Sequence, residues 1–206
     1  MRGDHARGAP HAIELARLAH EHELLLWGAF AVFLEGWATA AGGGPGGGLD
    51  GMRRGADSLR AQNILNFDGL VKIALARTEA EAGDPGRAVA ILDDALATAD
   101  RVGHRAFEAE LHRARGELLL KRDPANSVPA EEAFLTAIAV AREQGTRSFE
   151  LRAALALAKL YRATGREAEA HAVLWPAIEG FAPTTEMPQI AEAQEMIAAI
   201  EAGRHL

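Results

Sequence analysis

The sequence predicts an all-α fold, a solenoid of helical hairpins closed by a last helix, and three observations predict it. The first is an internal repeat. Ala158, Gly165, Ala170, Leu174 and Ala177 are spaced by seven, five, four and three residues. The same spacing recurs in Ala76, Gly83, Ala88, Leu92 and Ala95 and in Gly36, Gly43, Gly48, Met52 and Gly55. A copy with two extra turn residues keeps Gly116, Ala130, Phe134 and Ala137, so the last column steps by 40, 42 and 40 residues from Gly55 to Ala177. The second observation is composition: 49% of residues are apolar and only 5% aromatic, with 45 alanines among 206 residues. Alanine is the best helix former and lets helix backbones approach closely. The third is that no alternating run bounded by turns reads as a strand.

Each column has a physical reading. A small residue in the first helix and two in the second mark where two backbones cross. The Leu, Met or Phe column is the knob that fills the space left over, and the intervening Gly can take the positive φ of a tight turn. Eight residues past the last small column stand Asn63, Gly103 and Gly145, residue types that close a helix in the left-handed conformation. The fourth copy has Thr185 there, after Pro183.

The elements follow in order. Residues 1–10 are polar and Gly-containing, an expected disordered start and not a signal peptide. Residues 11–66 are expected to form a degenerate first hairpin, its first helix running from about 11 to 41. Within it, 24–34 is the most apolar run of the chain. Its 11 residues fall short of the roughly 20 a bilayer needs, and Glu35 would lie inside any longer span, so no membrane is expected. The Gly-rich stretch 42–48 reads as a flexible turn. It contains Gly-x-Gly-x-x-Gly, but no strand precedes it and Leu49-Asp50 stand where a phosphate loop has Lys-Ser/Thr.

The second hairpin occupies 67–103, with helices over about 66–82 and 85–102 separated by Gly83-Asp84-Pro85, a cap followed by Pro at the first helical position. The third occupies 104–145, with helices over 105–121 and 129–144. The fourth occupies 146–187, with helices over 147–163 and 167–181, the second carrying Pro176, which should kink or shorten it. Residues 188–202 form a helix that caps the exposed apolar edge, as stacked repeats require.

Composition also excludes chemistry. There is no cysteine, so disulfides, thiolate metal sites and cysteine nucleophiles are out, and a reducing, cytoplasmic setting is the expectation. The net charge of −7 argues against general nucleic-acid binding. His20 and His22 are two apart and miss the His-Glu-x-x-His spacing, so they point to different sides of a helix. Ser58, Ser127 and Ser148 are the only serines, and none stands in Gly-x-Ser-x-Gly. No catalytic residue, cofactor or metal is expected.

The small columns, with Tyr161 at an aromatic position of copy four, resemble the tetratricopeptide repeat. That resemblance implies a right-handed α-solenoid of about four hairpins. Copy one departs from it at Glu35 and Thr39, and the step of about 40 is longer than the usual 34, implying longer helices. A narrower likeness lies in 110–120, in 130–134 with Ala137-Ile138, in 148–158 and in 180–193. These segments resemble the carboxy-terminal helical repeats of large bacterial signalling ATPases, often fused to class III adenylate or guanylate cyclase or winged-helix domains. The resemblance implies a sensing or protein-interaction region, without the family's phosphate loop or cyclase aspartates.

In tetratricopeptide stacks the first helices line a concave groove. Carried onto this sequence, the groove positions are Phe30, Phe33 and Trp37, then Leu70, Ile73 and Arg77, then Glu110, Arg113 and Glu117, then Arg152, Leu155, Lys159 and Arg162. The early part is aromatic and the later part basic, so the expected partner is a protein or peptide, an acidic segment or the acidic surface of a neighbouring ATPase or cyclase domain. An equal alternative is that these charges are merely solvated. A further reading makes the aromatic first hairpin a small-ligand or nucleic-acid pocket, or a homo-oligomer contact.

Overall fold

The computed structural model describes residues 5–182 and 187–203, with side chains from residue 8. Among the described residues the fold is all-α, with ten helices and no strand. The chain divides into two units, Met1–Phe107 and Glu108–Leu206.

The first unit holds α1 (His5–Glu21), α2 (Leu25–Gly43), α3 (Pro45–Ala61), α4 (Asp68–Glu81) and α5 (Pro85–Val102). Each helix packs on the next, and α2 also reaches α4. Phe33, Leu49, Met52, Leu59, Val71 and Leu75 make one apolar core across α2, α3 and α4. The closest crossing is α2 on α3. A Cβ at Gly48 would stand 1.9 Å from the Gly36 carbonyl oxygen, and one at Gly55 would stand 2.6 Å from the Phe33 nitrogen. No side chain fits at either place, which is why this copy uses Gly where the others use Ala.

Two expectations for this region change. The helix read from about 11 to 41 is two helices. Glu23 adopts φ 54, so the chain turns through His22, Glu23 and Leu24 and folds α1 back onto α2. Residues 5–10, read as disordered, belong to α1, and the rest of that stretch, 1–4, lies outside the described residues. The Gly-rich segment is not a flexible turn either. Gly42 and Gly43 finish α2, Pro45 opens α3 with a φ already suited to a helix, and Gly44 at φ 94 is the whole link. α2 is one helix long and apolar enough, by length and composition, to cross a membrane. It contains Glu35 and is flanked by α1 and α3.

Local signals set the other boundaries. The Asp84 carboxylate accepts from the Arg87 N–H at 2.8 Å and caps α5, with Pro85 at its first position. Asn63 at φ 58 and Gly103 at φ 73 close α3 and α5 in the left-handed conformation.

The second unit holds α6 (Glu108–Arg122), α7 (Val128–Glu143), α8 (Arg147–Ala163), α9 (Glu167–Ile178) and α10 (Pro188–Gly203). α7 packs between α6 and α8, α6 also touches α8, and α10 lies on α8 and α9. α9 ends two residues after Pro176, short of the expected 181. Gly145 and Gly165 take positive φ, while Thr185 lies outside the described residues.

The packing columns are buried in every copy, while the turn glycines Gly43, Gly83 and Gly165 are exposed. Ala76, Ala88, Leu92, Ala130, Ala137, Ala158, Ala170, Leu174, Ala177 and Met52 are fully inaccessible. Copy three exchanges volume across its crossing: a Cβ at Gly116 would stand 2.5 Å from the Phe134 ring, so the larger knob is matched by a missing methyl. Copies two and four pair Ala with Leu at the same two positions. Gly116→Ala alone is therefore expected to overpack the crossing and cost about 1–2 kcal/mol after its helix-propensity gain. Phe134→Leu alone leaves a void and costs a similar amount. The double variant reproduces the pairing of the other copies and should be more stable than the sum of the two losses predicts, read by urea unfolding as a double-mutant cycle. Simple additivity would show that the two positions do not share one space.

Candidate functional site

The groove residues carried over from the resemblance separate into distinct environments. In the first unit Phe33 is core, 1% exposed, because α3 crosses at its backbone through Gly55. It cannot face a partner, and the expectation that it lines a groove is corrected. Ile73 is buried as well. Phe30 is half-buried, its ring edge-on to Phe67 at 5.5 Å and 6.0 Å from Trp27. Trp37 is half-buried, with Cζ3 only 3.1 Å from the site of a Cβ on Gly8 of α1. Arg77 is half-buried on α4 and already engaged.

In the second unit the helix periods bring Glu110, Arg113 and Glu117 to one face of α6 and Arg152, Leu155, Lys159 and Arg162 to one face of α8. Arg113 is 4% exposed, so it too is corrected from an open groove residue to a buried one. Its guanidinium donates to both oxygens of Glu110, at 2.9 and 3.0 Å, and to Glu117. Burial pulls the Arg113 pKa down, and Glu117 and Glu110 more than offset it, holding the group above its ordinary value. Arg152 reaches the same Glu110 carboxylate from α8 at 3.0 Å. One buried carboxylate therefore serves two guanidiniums on two helices. Leu155 is buried, while Lys159 meets Glu192 of α10 at 2.6 Å with both side chains about half exposed. Arg162 is exposed. The face is not a basic surface: most of its cations are neutralised from within the unit.

Further buried carboxylates, Glu79, Glu150 and Asp68, lie outside the groove positions. Glu79 of α4 is 2% exposed and takes Arg53 in a two-pronged contact at 2.9 Å, with Arg87 at 3.3 Å. Glu150 of α8 accepts from Arg142 of α7 at 2.7 Å. Asp68 opens α4 with Oδ2 unpartnered among the described residues. A sequence signal for part of this exists. Arg60, Arg101 and Arg142 stand in the last turns of α3, α5 and α7, and Asp68, Glu108 and Glu150 follow them by eight, seven and eight residues in the first turns of α4, α6 and α8. Each charge suits the helix end it occupies. Tyr161, read as an aromatic packing position, is buried. It donates to Glu131 at 2.9 Å beneath the Arg166 guanidinium, which lies 4.0 Å from the ring centroid. Among the described residues no three metal-ligating side chains gather.

Two outcomes follow. Glu110→Gln leaves the buried Arg113 short of charge and should cost about 3 kcal/mol or more, whereas Lys159→Ala, an exposed pair, should cost about 0–1 kcal/mol, both by urea unfolding. Equal costs would show that burial does not separate the two pairs. For Asp68, burial raises the pKa above its ordinary value of 3.8, against the pull of Lys72 and Arg60 and with the push of Asp94. The folded chain then holds that proton to higher pH than the unfolded chain, so ionised Asp68 weakens the fold as pH rises through its folded pKa. Asp68→Asn should raise the melting temperature at pH 7, with a gain that shrinks as pH falls toward the ordinary value. A gain that grew on acidification would reverse the sign.

Compared with known proteins, the chain matches no protein-family model and no curated protein.

Proposed function

We propose that the chain is a non-catalytic interaction module, a right-handed α-solenoid of tetratricopeptide-like hairpins that holds a peptide or a neighbouring domain in a bacterial signalling ATPase or cyclase system. The observation that carries this reading is the recurrence of one crossing in four hairpins, each at residues with no side chain or a single methyl and each fully or almost fully buried. Such a unit is repeated packing, and packing alone presents surface rather than chemistry. The segments with the narrower likeness lie in the second unit and are largely packing residues, consistent with a scaffold role.

The charge pairing refines the partner. An acidic side chain meets Arg162 directly and competes for Lys159 against exposed Glu192, an exchange of weak surface pairs. It gains nothing from Arg113, which is buried and already satisfied. Recognition by this face therefore needs apolar anchors beside one or two acidic groups. The net charge of −7 disfavours nucleic acid as the occupant.

The test is an array of short acidic-apolar peptides probed with the purified chain, hits being measured by fluorescence anisotropy. Lys159→Glu with Arg162→Glu should weaken hits about tenfold or more, at roughly 1 kcal/mol per exposed contact, with helical circular dichroism unchanged. Binding unaltered by the double reversal, or Trp27 and Trp37 fluorescence that responds to nucleotides or oligonucleotides while every peptide fails, would overturn the reading.

A further inference from the structure

One charged cluster of the first unit departs from the repeat. In the second unit Arg142, in the last turn of α7, donates to Glu150 in the first turn of α8 at 2.7 Å. The same repeat positions in the first unit hold Arg60 of α3 and Asp68 of α4. Arg60 turns elsewhere, to Asp94 of α5 at 2.7 Å and to the Thr98 hydroxyl at 3.5 Å. Lys72, one turn along α4 from Asp68, reaches the same Asp94 oxygen at 3.7 Å. Asp68 is 8% exposed and keeps Oδ2 unpartnered among the described residues. A buried acceptor without a donor is uncommon and calls for a reason. Packing does not supply one. At the shift of 82 residues that carries Gly55 to Ala137 and Ala95 to Ala177, Lys72, Asp94, Thr98 and Arg101 give way to Ala154, Pro176, Gly180 and Pro183.

Beside Arg60 lies a cleft of about 380 Å³, walled by the end of α3, the segment leading to α4, and α5. That is the small end of the range for ligand clefts, about 300–1,000 Å³. Arg60, Asn63, Asp94, Thr98 and Arg101 bring polar groups to it, and Leu65 and Ala97 bring apolar ones. Several of these groups are unused. The side chains of Arg101 and Asn63 make no hydrogen bond or ion pair among the described residues. Arg60 bonds only through Nη2, and both of its neighbours on Asp94 are on Oδ2, which leaves Asp94 Oδ1 open.

From these groups we infer that the cleft is a binding site for a small dipolar ion, a free amino acid with an uncharged side chain. Charge selects the class. A plain anion meets Asp94, and a plain cation meets Arg60, Arg101 and Lys72. A dipolar ion suits both signs at once. Its carboxylate takes the open guanidinium of Arg101 and the unbonded edge of Arg60, groups whose planar fork matches two carboxylate oxygens. Its ammonium takes Asp94 Oδ1, and a short apolar side chain rests on Leu65 and Ala97. Asp68 attracts both Arg60 and Lys72. A ligand that draws on Arg60 and Asp94 therefore does not leave Lys72 without a carboxylate. The site lies wholly within the first unit and is independent of any partner held by the second.

Titration calorimetry on the whole chain tests this with the free amino acids that have uncharged side chains, and with acetate and methylamine as single-charge probes. At least one amino acid should bind saturably at millimolar concentration or below, and neither acetate nor methylamine should bind comparably. Arg101→Gln, at an exposed side chain without a partner, should weaken that binding about tenfold with unchanged helical circular dichroism. Arg122→Gln, an exposed arginine in the last turn of α6, should leave it unaltered. No saturable heat from any amino acid would overturn the proposal, as would an Arg101→Gln chain that binds like the wild type or equal weakening by Arg122→Gln. Acetate bound as tightly as the amino acid would also overturn it and make the cleft a plain oxyanion site.

Discussion

The distance between two helix backbones is the constraint on which this chain depends. Where α2 and α3 meet, the atom that any side chain would add at Gly48 falls on the carbonyl of Gly36, and the one at Gly55 falls on the backbone of Phe33. Contacts that close make large dispersion gains per residue, because both backbones contribute atoms. They also cost something, since each Gly in a helix interior loses roughly 1 kcal/mol of propensity against Ala. The later copies use Ala76, Ala88 and Ala95 or Ala158, Ala170 and Ala177, which keep helix propensity and place a single methyl at the crossing. Copy three mixes the solutions, with Gly in α6 and the bulkiest knob, Phe134, in α7. The low aromatic content, 5%, follows from the same constraint: with backbones this close, few sites have room for a ring.

A second consequence concerns charge. Helices packed so tightly leave little depth between their faces, so long polar side chains rooted near a crossing are drawn under their neighbours. Glu79, Glu110 and Glu150 are buried in this way, and each is held by guanidiniums that reach in from the surface or from the adjacent helix. A buried carboxylate of this kind is weak evidence for stability in itself, since desolvation offsets much of the attraction. It does fix register. Glu110 can serve Arg113 and Arg152 together only if α6 and α8 keep one alignment, and Glu131 can hold Tyr161 and Arg166 only if α7, α8 and α9 do.

This explains which parts of the structure were legible in the sequence. The crossing columns were, because the requirement for a missing side chain admits almost no substitutes. The helix closers Asn63, Gly103 and Gly145 were legible for a similar reason, as was the Pro-led start of α5. The break between α1 and α2 was not. It turns on Glu23 adopting a left-handed conformation that its residue type does not favour, with no Gly, Pro or Asn in His20-Glu21-His22-Glu23 to mark it. The glycine run misled in the opposite direction. Its composition signals flexibility, yet Gly48 is held in a helix by the one feature that distinguishes it, the lack of a Cβ. The candidate site was half legible. A helix period says which side chains share a face, and so Arg113 was placed with Glu110 and Glu117 and Arg152 with Lys159 and Arg162. It does not say which carboxylate on another helix neutralises them, and that is a fact of tertiary packing.

The two kinds of surface that remain differ in what they can recognise. On the second unit the cations are largely spent on internal pairs, so a ligand there must exchange partners with exposed groups such as Glu192, and electrostatics supplies selectivity more than affinity. On the first unit the exposed face is apolar and concave, with projecting side chains at its edge, and burying it releases water without displacing an existing partner. The difference arises because the repeat columns satisfy the helices they join, while α1, outside the repeat, buries Ala12 and Ala19 but leaves Ile13 and Leu18 exposed.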